Sequence, residues 1–248
     1  TWFQELTFLQ SALRSDAERE LEPYVAEVSE ANPDQLPFRD LWIPAVDAFV
    51  ARLRSCLIDL QHRSIDDQVY RSLGRSLLIR LSKIAEQALF EQFNLQRPPG
   101  AMLLAHLGSD GDGQGPPVRE YYERFIREHR CDGLASFLET FPVLGRYLGQ
   151  VCGDWHHSNE MLLRRGDADT IPLQQLFGVA PEMELSGVHQ GLSDPHNHGQ
   201  VVSILKFAQA THCAPIQVVY KPKDMGVDLA YQQALEHLNS VSTLTPLR

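Results

Sequence analysis

The chain has few lysines. Of its 22 basic residues only four are Lys, at positions 83, 206, 221 and 223, and the rest are Arg. Positive charge is not in excess either: 22 Lys and Arg stand against 32 Asp and Glu, a formal net charge of −10. This balance argues against non-specific nucleic-acid binding, which needs clustered cations to displace counterions. Four cysteines, Cys56, Cys131, Cys152 and Cys213, lie far apart with no CxxC pair. They outline neither a structural zinc site nor a disulfide framework, and a reducing cytoplasm is the expected compartment. No apolar run of about 18 residues occurs, so no membrane span is expected. Thr1 to Arg14 lacks the basic-then-apolar layout of a signal peptide.

Apolar material is plentiful, at 43% of 248 residues. That is enough for one large or two small domains with a real core. Trp42, Val46, Phe49, Leu53, Cys56 and Leu60 recur every three or four positions, which predicts a helix of about 20 residues with Pro44 in its first turn. A second stripe runs through Val69, Leu73, Leu77, Leu81, Ile84 and Ala88 towards Phe93, and shorter ones cover Phe3–Leu13 and Val118–Ile126. Between 97 and 117 the pattern gives way to Gly, Pro, Asp and Ser, the chemistry of a flexible loop. Its alternating Asp residues lack the closing Glu of a calcium loop. Helices resume near Asp132, and Pro142 forces a kink or a restart. His156 and Glu160 are one helical turn apart, which fits either a solvated face or two metal ligands.

After Asp169 the period switches from 3.6 to 2. Strands are predicted over about Met183–Val188, Val201–Phe207 and Ile216–Lys221, then a helix from Asp228 to Asn239. The fold class is therefore α+β: a helical region over 1–170, with its flexible loop at about 97–117, and a small antiparallel sheet with one helix over 171–248.

The connection Gly191-Leu192-Ser193-Asp194-Pro195-His196-Asn197-His198-Gly199 joins the first two strands. It is polar and bracketed by glycines, which permit positive φ and close backbone approach. Three readings are open. One is an ordinary long hairpin loop. Another is a metal site on Asp194, His196 and His198, since alternate residues of an extended segment face one side. The last takes account of Lys221, about 20 residues on at the end of the third strand. Strand, small polar loop, strand, strand with Lys, then helix is the order in a kinase N-terminal lobe, where loop and Lys meet nucleotide phosphates. The sequence carries neither GxGxxG nor Walker A.

This loop, followed by Val219-Tyr220-Lys221-Pro222-Lys223, resembles the dehydratase domain of class II lanthipeptide (LanM-type) synthetases. Gly133-Leu134, Phe141-Pro142-Val143-Leu144-Gly145-Arg146, Asn159-Glu160-Met161-Leu162 and Val227-Asp228-Leu229-Ala230-Tyr231 resemble other stretches of the same family, so the likeness covers roughly 121–239. The resemblance implies a lipid-kinase-like N-lobe, incomplete at its C-terminus. It implies an enzyme that phosphorylates Ser and Thr of a ribosomal precursor peptide with ATP and Mg²⁺, then eliminates phosphate to leave dehydroalanine or dehydrobutyrine. Thioether rings follow on a separate zinc-bearing cyclase domain, whose ligands this sequence lacks. Asp194, His196 and Lys221 are the catalytic candidates that it implies, and Ser193, Asn197, Gly199 and Lys221 the nucleotide contacts. The family's catalytic Asp, His and Asn and its Mg²⁺-binding Asp should follow the lobe, and none precedes Arg248. The chain is therefore expected to be an N-terminal fragment, inactive alone. The competing expectations are a helical peptide-binding module without catalysis and a metal-dependent hydrolase.

Overall fold

The computed structural model describes residues 1–18, 36–60, 64–96, 118–208 and 215–241. The predicted loop at 97–117, the mobility expected for 108–117, and Cys213 lie outside the described residues.

Helix α1 (Trp2–Ser15) starts at a capping box, in which the Thr1 side chain accepts from the Gln4 backbone N–H and Gln4 answers in return. It buries Leu6, Leu9, Ala12 and Leu13. Helix α2 (Arg39–Cys56) starts earlier than its apolar stripe does, so Pro44 sits in the second turn rather than the first. A proline there has no N–H for the carbonyl four residues back. That carbonyl belongs to Asp40, and the Arg130 guanidinium, itself 2% exposed, donates to it from another helix. The helix also stops at Cys56, so Leu60 falls outside it. Helix α3 (Asp67–Gln96) buries Val69, Leu73, Leu77, Leu81, Ala85, Leu89 and Phe93, a strict four-residue step. Ile84 is turned outward, against the sequence reading.

Helix α4 (Val118–Cys131) and the short α5 (Ala135–Thr140) lead to α6 (Pro142–Ala168), where Pro142 begins a new helix as the restart reading required. Trp155 is the centre of α6. It is fully buried, and its indole N–H lies 3.0 Å from the Leu73 carbonyl and 3.1 Å from Ser76 Oγ, which ties α6 to α3. One more helix, α7 (Thr170–Phe177), was not foreseen. The switch to strands therefore falls after Gly178, the left-handed residue that ends α7, and not at Asp169.

Strands β1 (Glu184–His189), β2 (Ser203–Ala208) and β3 (Ile216–Tyr220) form an antiparallel sheet in the order β1-β2-β3, close to the predicted spans. A bulge at Ser186 restores Val188 to the buried face after Leu185. Leu185, Val188, Leu205, Phe207 and Val218 join the core of the helical region, so helices and sheet share one apolar interior. Residues 64–66 pair with β1 through the Ser64 carbonyl and the Asp66 N–H, and Ser72 Oγ donates to the Val188 carbonyl. Helix α8 (Gly226–Val241) follows β3 and buries no side chain. Among the described residues no helix is long and apolar enough to cross a membrane.

Candidate functional site

Register decides where the predicted groups meet. His189 of β1 lies opposite Ile204, and Ser203 of β2 lies opposite Tyr220. The end of β1, the start of β2 and the end of β3 therefore share one edge of the sheet. The polar connection 190–202 and Lys221 both emerge there. Lys221, Asp194, His196 and Asn197 are exposed, and among the described residues no hydrogen bond or ion pair joins Lys221 to Asp194 or His196.

The connection is not an extended hairpin. His196 and Gln200 exchange both backbone hydrogen bonds, at 2.9 and 2.8 Å. The three residues between them turn left-handed, with φ of 39° at Asn197, 62° at His198 and 78° at Gly199. Only Gly takes that conformation without steric cost, so two of the three are strained. The alternation on which an Asp194, His196, His198 metal set depended breaks at this turn. Among the described residues no group of three or more His, Cys, Asp or Glu side chains could hold a metal ion. Ser193 holds the far side of the loop: its Oγ accepts from the Val202 N–H at 3.0 Å and lies 3.2 Å from the Asp194 carbonyl.

Helix α6 is the floor under this loop, and sequence reasoning missed it. Gly199 lies against Asp154 so closely that a Cβ there would come within 2.9 Å of the Asp154 Cβ. His198 Nδ1 is 3.5 Å from Asp154 Oδ1, which also accepts from Gln150 Nε2 at 2.9 Å. Gln190 Nε2 donates to Asn159 Oδ1 at 2.8 Å, and Arg165 donates to the Tyr220 hydroxyl at 2.7 Å. Arg80 adds a cation from α3. Burial lowers its pKa, and attraction to Asp154 opposes that shift. A crevice behind Pro222 is lined by Ser158, Leu162, Gln190, Gln200 and Tyr220. Gln190 Oε1 is buried there without a hydrogen-bond partner. Of these residues Asn159, Leu162 and Tyr220 stood in stretches singled out from sequence, and Gln150, Asp154, Arg165 and Arg80 did not. No periodic or motif signal marks Asp154, because it meets the loop only through tertiary packing.

Gly199→Ala is expected to lower stability by about 1–2 kcal/mol, from left-handed strain together with the Asp154 overlap. Urea unfolding checks it. An unchanged midpoint would mean that the loop is not seated on α6. At Gly191 a Cβ would meet open space, although φ is 92°, so Gly191→Ala measures the strain without the overlap.

The other candidate, His156 with Glu160, is neither a solvated face nor a ligand pair. His156 is 8% exposed and packs inward, with Nε2 3.9 Å from Glu160 Oε2. An Asp in a turn often holds the loop's own N–H groups, but the Asp194 carboxylate accepts no hydrogen bond among the described residues.

A model of a protein family described only as a domain of unknown function (DUF4135) matches residues 141–248. The match takes in α6, the loop at 190–202, the sheet and Lys221. No curated protein matches the chain.

Proposed function

We propose that this chain contributes the first part of a lanthipeptide-synthetase dehydratase, which phosphorylates Ser and Thr of a ribosomal precursor peptide and then eliminates phosphate. One observation carries the reading: the sheet register brings the 190–202 loop and Lys221 to one edge, the order and placement that phosphate contacts in a kinase-like lobe require. Further support comes from the match to residues 141–248, which spans the stretch where most of the resemblance lies.

The donors at this edge suit a polyphosphate. Lys221 brings an ammonium point charge, His196 and Asn197 bring side-chain N–H groups, and the left-handed turn brings backbone N–H groups. They do not suit Mg²⁺ by themselves, since Asp194 is the one carboxylate in the loop. ATP bound here would supply the phosphoryl group. Lys221 would neutralise phosphate charge, and His196 would donate to a phosphate oxygen. Ser193 and Asp154 would hold the loop still while they do so. Asp194 facing phosphate directly would be repelled, so its role in this reading is to engage Mg²⁺ in company with ligands from elsewhere in the synthetase. The cytoplasm is the matching compartment.

The test separates the two chemical steps. In the complete synthetase, His196→Ala and Asp194→Ala are each expected to impair phosphorylation of the precursor. Elimination from a supplied phosphopeptide in the presence of ADP should change much less, because no phosphoryl group is transferred. Equal loss of both steps would make the loop a structural connection and sink its phosphate role.

A further inference from the structure

The end of α2 meets α6 through a thiol. Cys56 is half-buried, and its Sγ lies 3.9 Å from His156 Nε2, within hydrogen-bond reach for sulfur. His156 is buried, and its second ring nitrogen, Nδ1, is buried without a partner. Glu160 Oε2 stands 3.9 Å from the same Nε2. Arg164 orients Glu160 at 2.9 Å, pairs with Asp59 at 3.0 Å and donates to the Cys56 carbonyl. Arg52, held by Glu5 from α1 at 2.7 Å, also interacts electrostatically with Cys56.

These surroundings give the imidazole a definite state. Burial, and then the charge of Arg52, push the His156 pKa below its ordinary value of 6.5, while Glu160 pulls the other way. The ring is therefore neutral at neutral pH and has a lone pair for a proton. Once protonated it gives up its proton more readily than a free imidazolium, with the Glu160 carboxylate facing its charge.

We propose that Cys56 is a peroxide-reactive thiol activated by His156. The sulfur attacks one peroxide oxygen, and the S–O bond forms as the O–O bond breaks. The thiol proton passes to His156 Nε2 and from there to the departing hydroxide, which leaves as water. Sulfur loses two electrons and becomes a sulfenic acid, and the peroxide gains them. The co-reactant is a hydroperoxide, with hydrogen peroxide as the probe.

Exposure alone ranks the thiols differently. Cys131 is exposed at the end of α4, and Cys152 is fully buried, with burial raising its pKa well above the usual thiol value. The experiment treats the whole chain with hydrogen peroxide, traps sulfenic acid with dimedone and reads each cysteine peptide by mass spectrometry. Cys56 is expected to label at least about tenfold faster than Cys131, a threshold set below the about 10²–10⁴-fold that a positioned base contributes. Cys152 should stay unlabelled, which reports an intact fold. His156→Gln should cut the Cys56 rate to that of Cys131 or lower and leave Cys131 unchanged. Labelling of Cys131 ahead of Cys56 overturns the proposal, as does a Cys56 rate indifferent to His156→Gln. If that variant labels Cys152 and so has lost its fold, the wild-type ratio of Cys56 to Cys131 decides alone.

Discussion

Lys221→Ala is expected to reduce precursor phosphorylation by the complete synthetase by about 10²–10³-fold, the usual cost of removing one group that stabilises transition-state charge. The fold should survive. Lys221 is exposed just beyond β3 and takes part in no ion pair among the described residues, so its loss should change stability by no more than about 0.5 kcal/mol. Lys221→Arg should also perform poorly. The ammonium is a compact charge on a flexible stem, and the guanidinium is a planar fork that cannot occupy the same place beside Pro222. Lys223, two residues on, is the comparison: its Nζ is 3.8 Å from Asp228 Oδ2, turned to the start of α8. Mass loss from the precursor, read as waters removed, measures both Lys221 variants beside Lys223→Ala. Near-normal dehydration by Lys221→Ala would take this residue out of the site, whatever the fate of Asp194 and His196.

The largest structural effect is expected at Gly149. Helices α1 and α6 touch there, and a Cβ on Gly149 would overlap the Trp2 carbonyl oxygen, 3.0 Å from the Trp2 carbonyl carbon and 3.2 Å from the Leu6 Cβ. Backbone cannot rotate aside as a side chain does. Alanine in a helix interior gains about 1 kcal/mol over glycine, and overpacking of this kind costs typically about 1–3 kcal/mol or more. The clash with main chain puts Gly149→Ala at the upper end, because α1 must shift and loosen Leu6, Leu9 and Leu13. A net loss of about 2 kcal/mol lowers Tm by about 4–8 °C for a chain of this size. Gly145, one turn earlier on α6, would place its Cβ 3.4 Å from Leu6 Cδ2, an ordinary contact. Gly145→Ala should be neutral or stabilising. Thermal melts of the two variants side by side check the pair, and equal behaviour would contradict the close approach of α1.

Helix α3 was legible from sequence because its core residues repeat every four positions over its whole length. Ile84 misled only because it is apolar and adjacent to the true core position, Ala85, which is too small to stand out. Helix α7 was missed for the opposite reason: Ile171, Leu176 and Phe177 are exposed, so its apolar residues do not mark a buried face. The sheet was legible through β-branched alternation, and the shared edge of loop and Lys221 follows from antiparallel order alone. The seat beneath the loop was not legible. It depends on Asp154 and Asn159, which meet Gly199, His198 and Gln190 only once the loop has folded back onto α6. His156 was misjudged because an i, i+4 polar pair looks the same in sequence whether it faces water or a neighbouring helix.

Pro44 and Arg130 carry a consequence for how this sequence can vary. The helix defect at Asp40 and the guanidinium that answers it come from separate segments, so neither residue is a free variable. A lineage that replaced Pro44 by a residue with an N–H would close the α2 ladder and make Arg130 share the carbonyl to which it donates. One that lost Arg130 first would leave that carbonyl exposed within a helix that cannot satisfy it. The two positions are therefore expected to be energetically coupled, so that the effects of changing Pro44 and Arg130 together differ from the sum of the single changes.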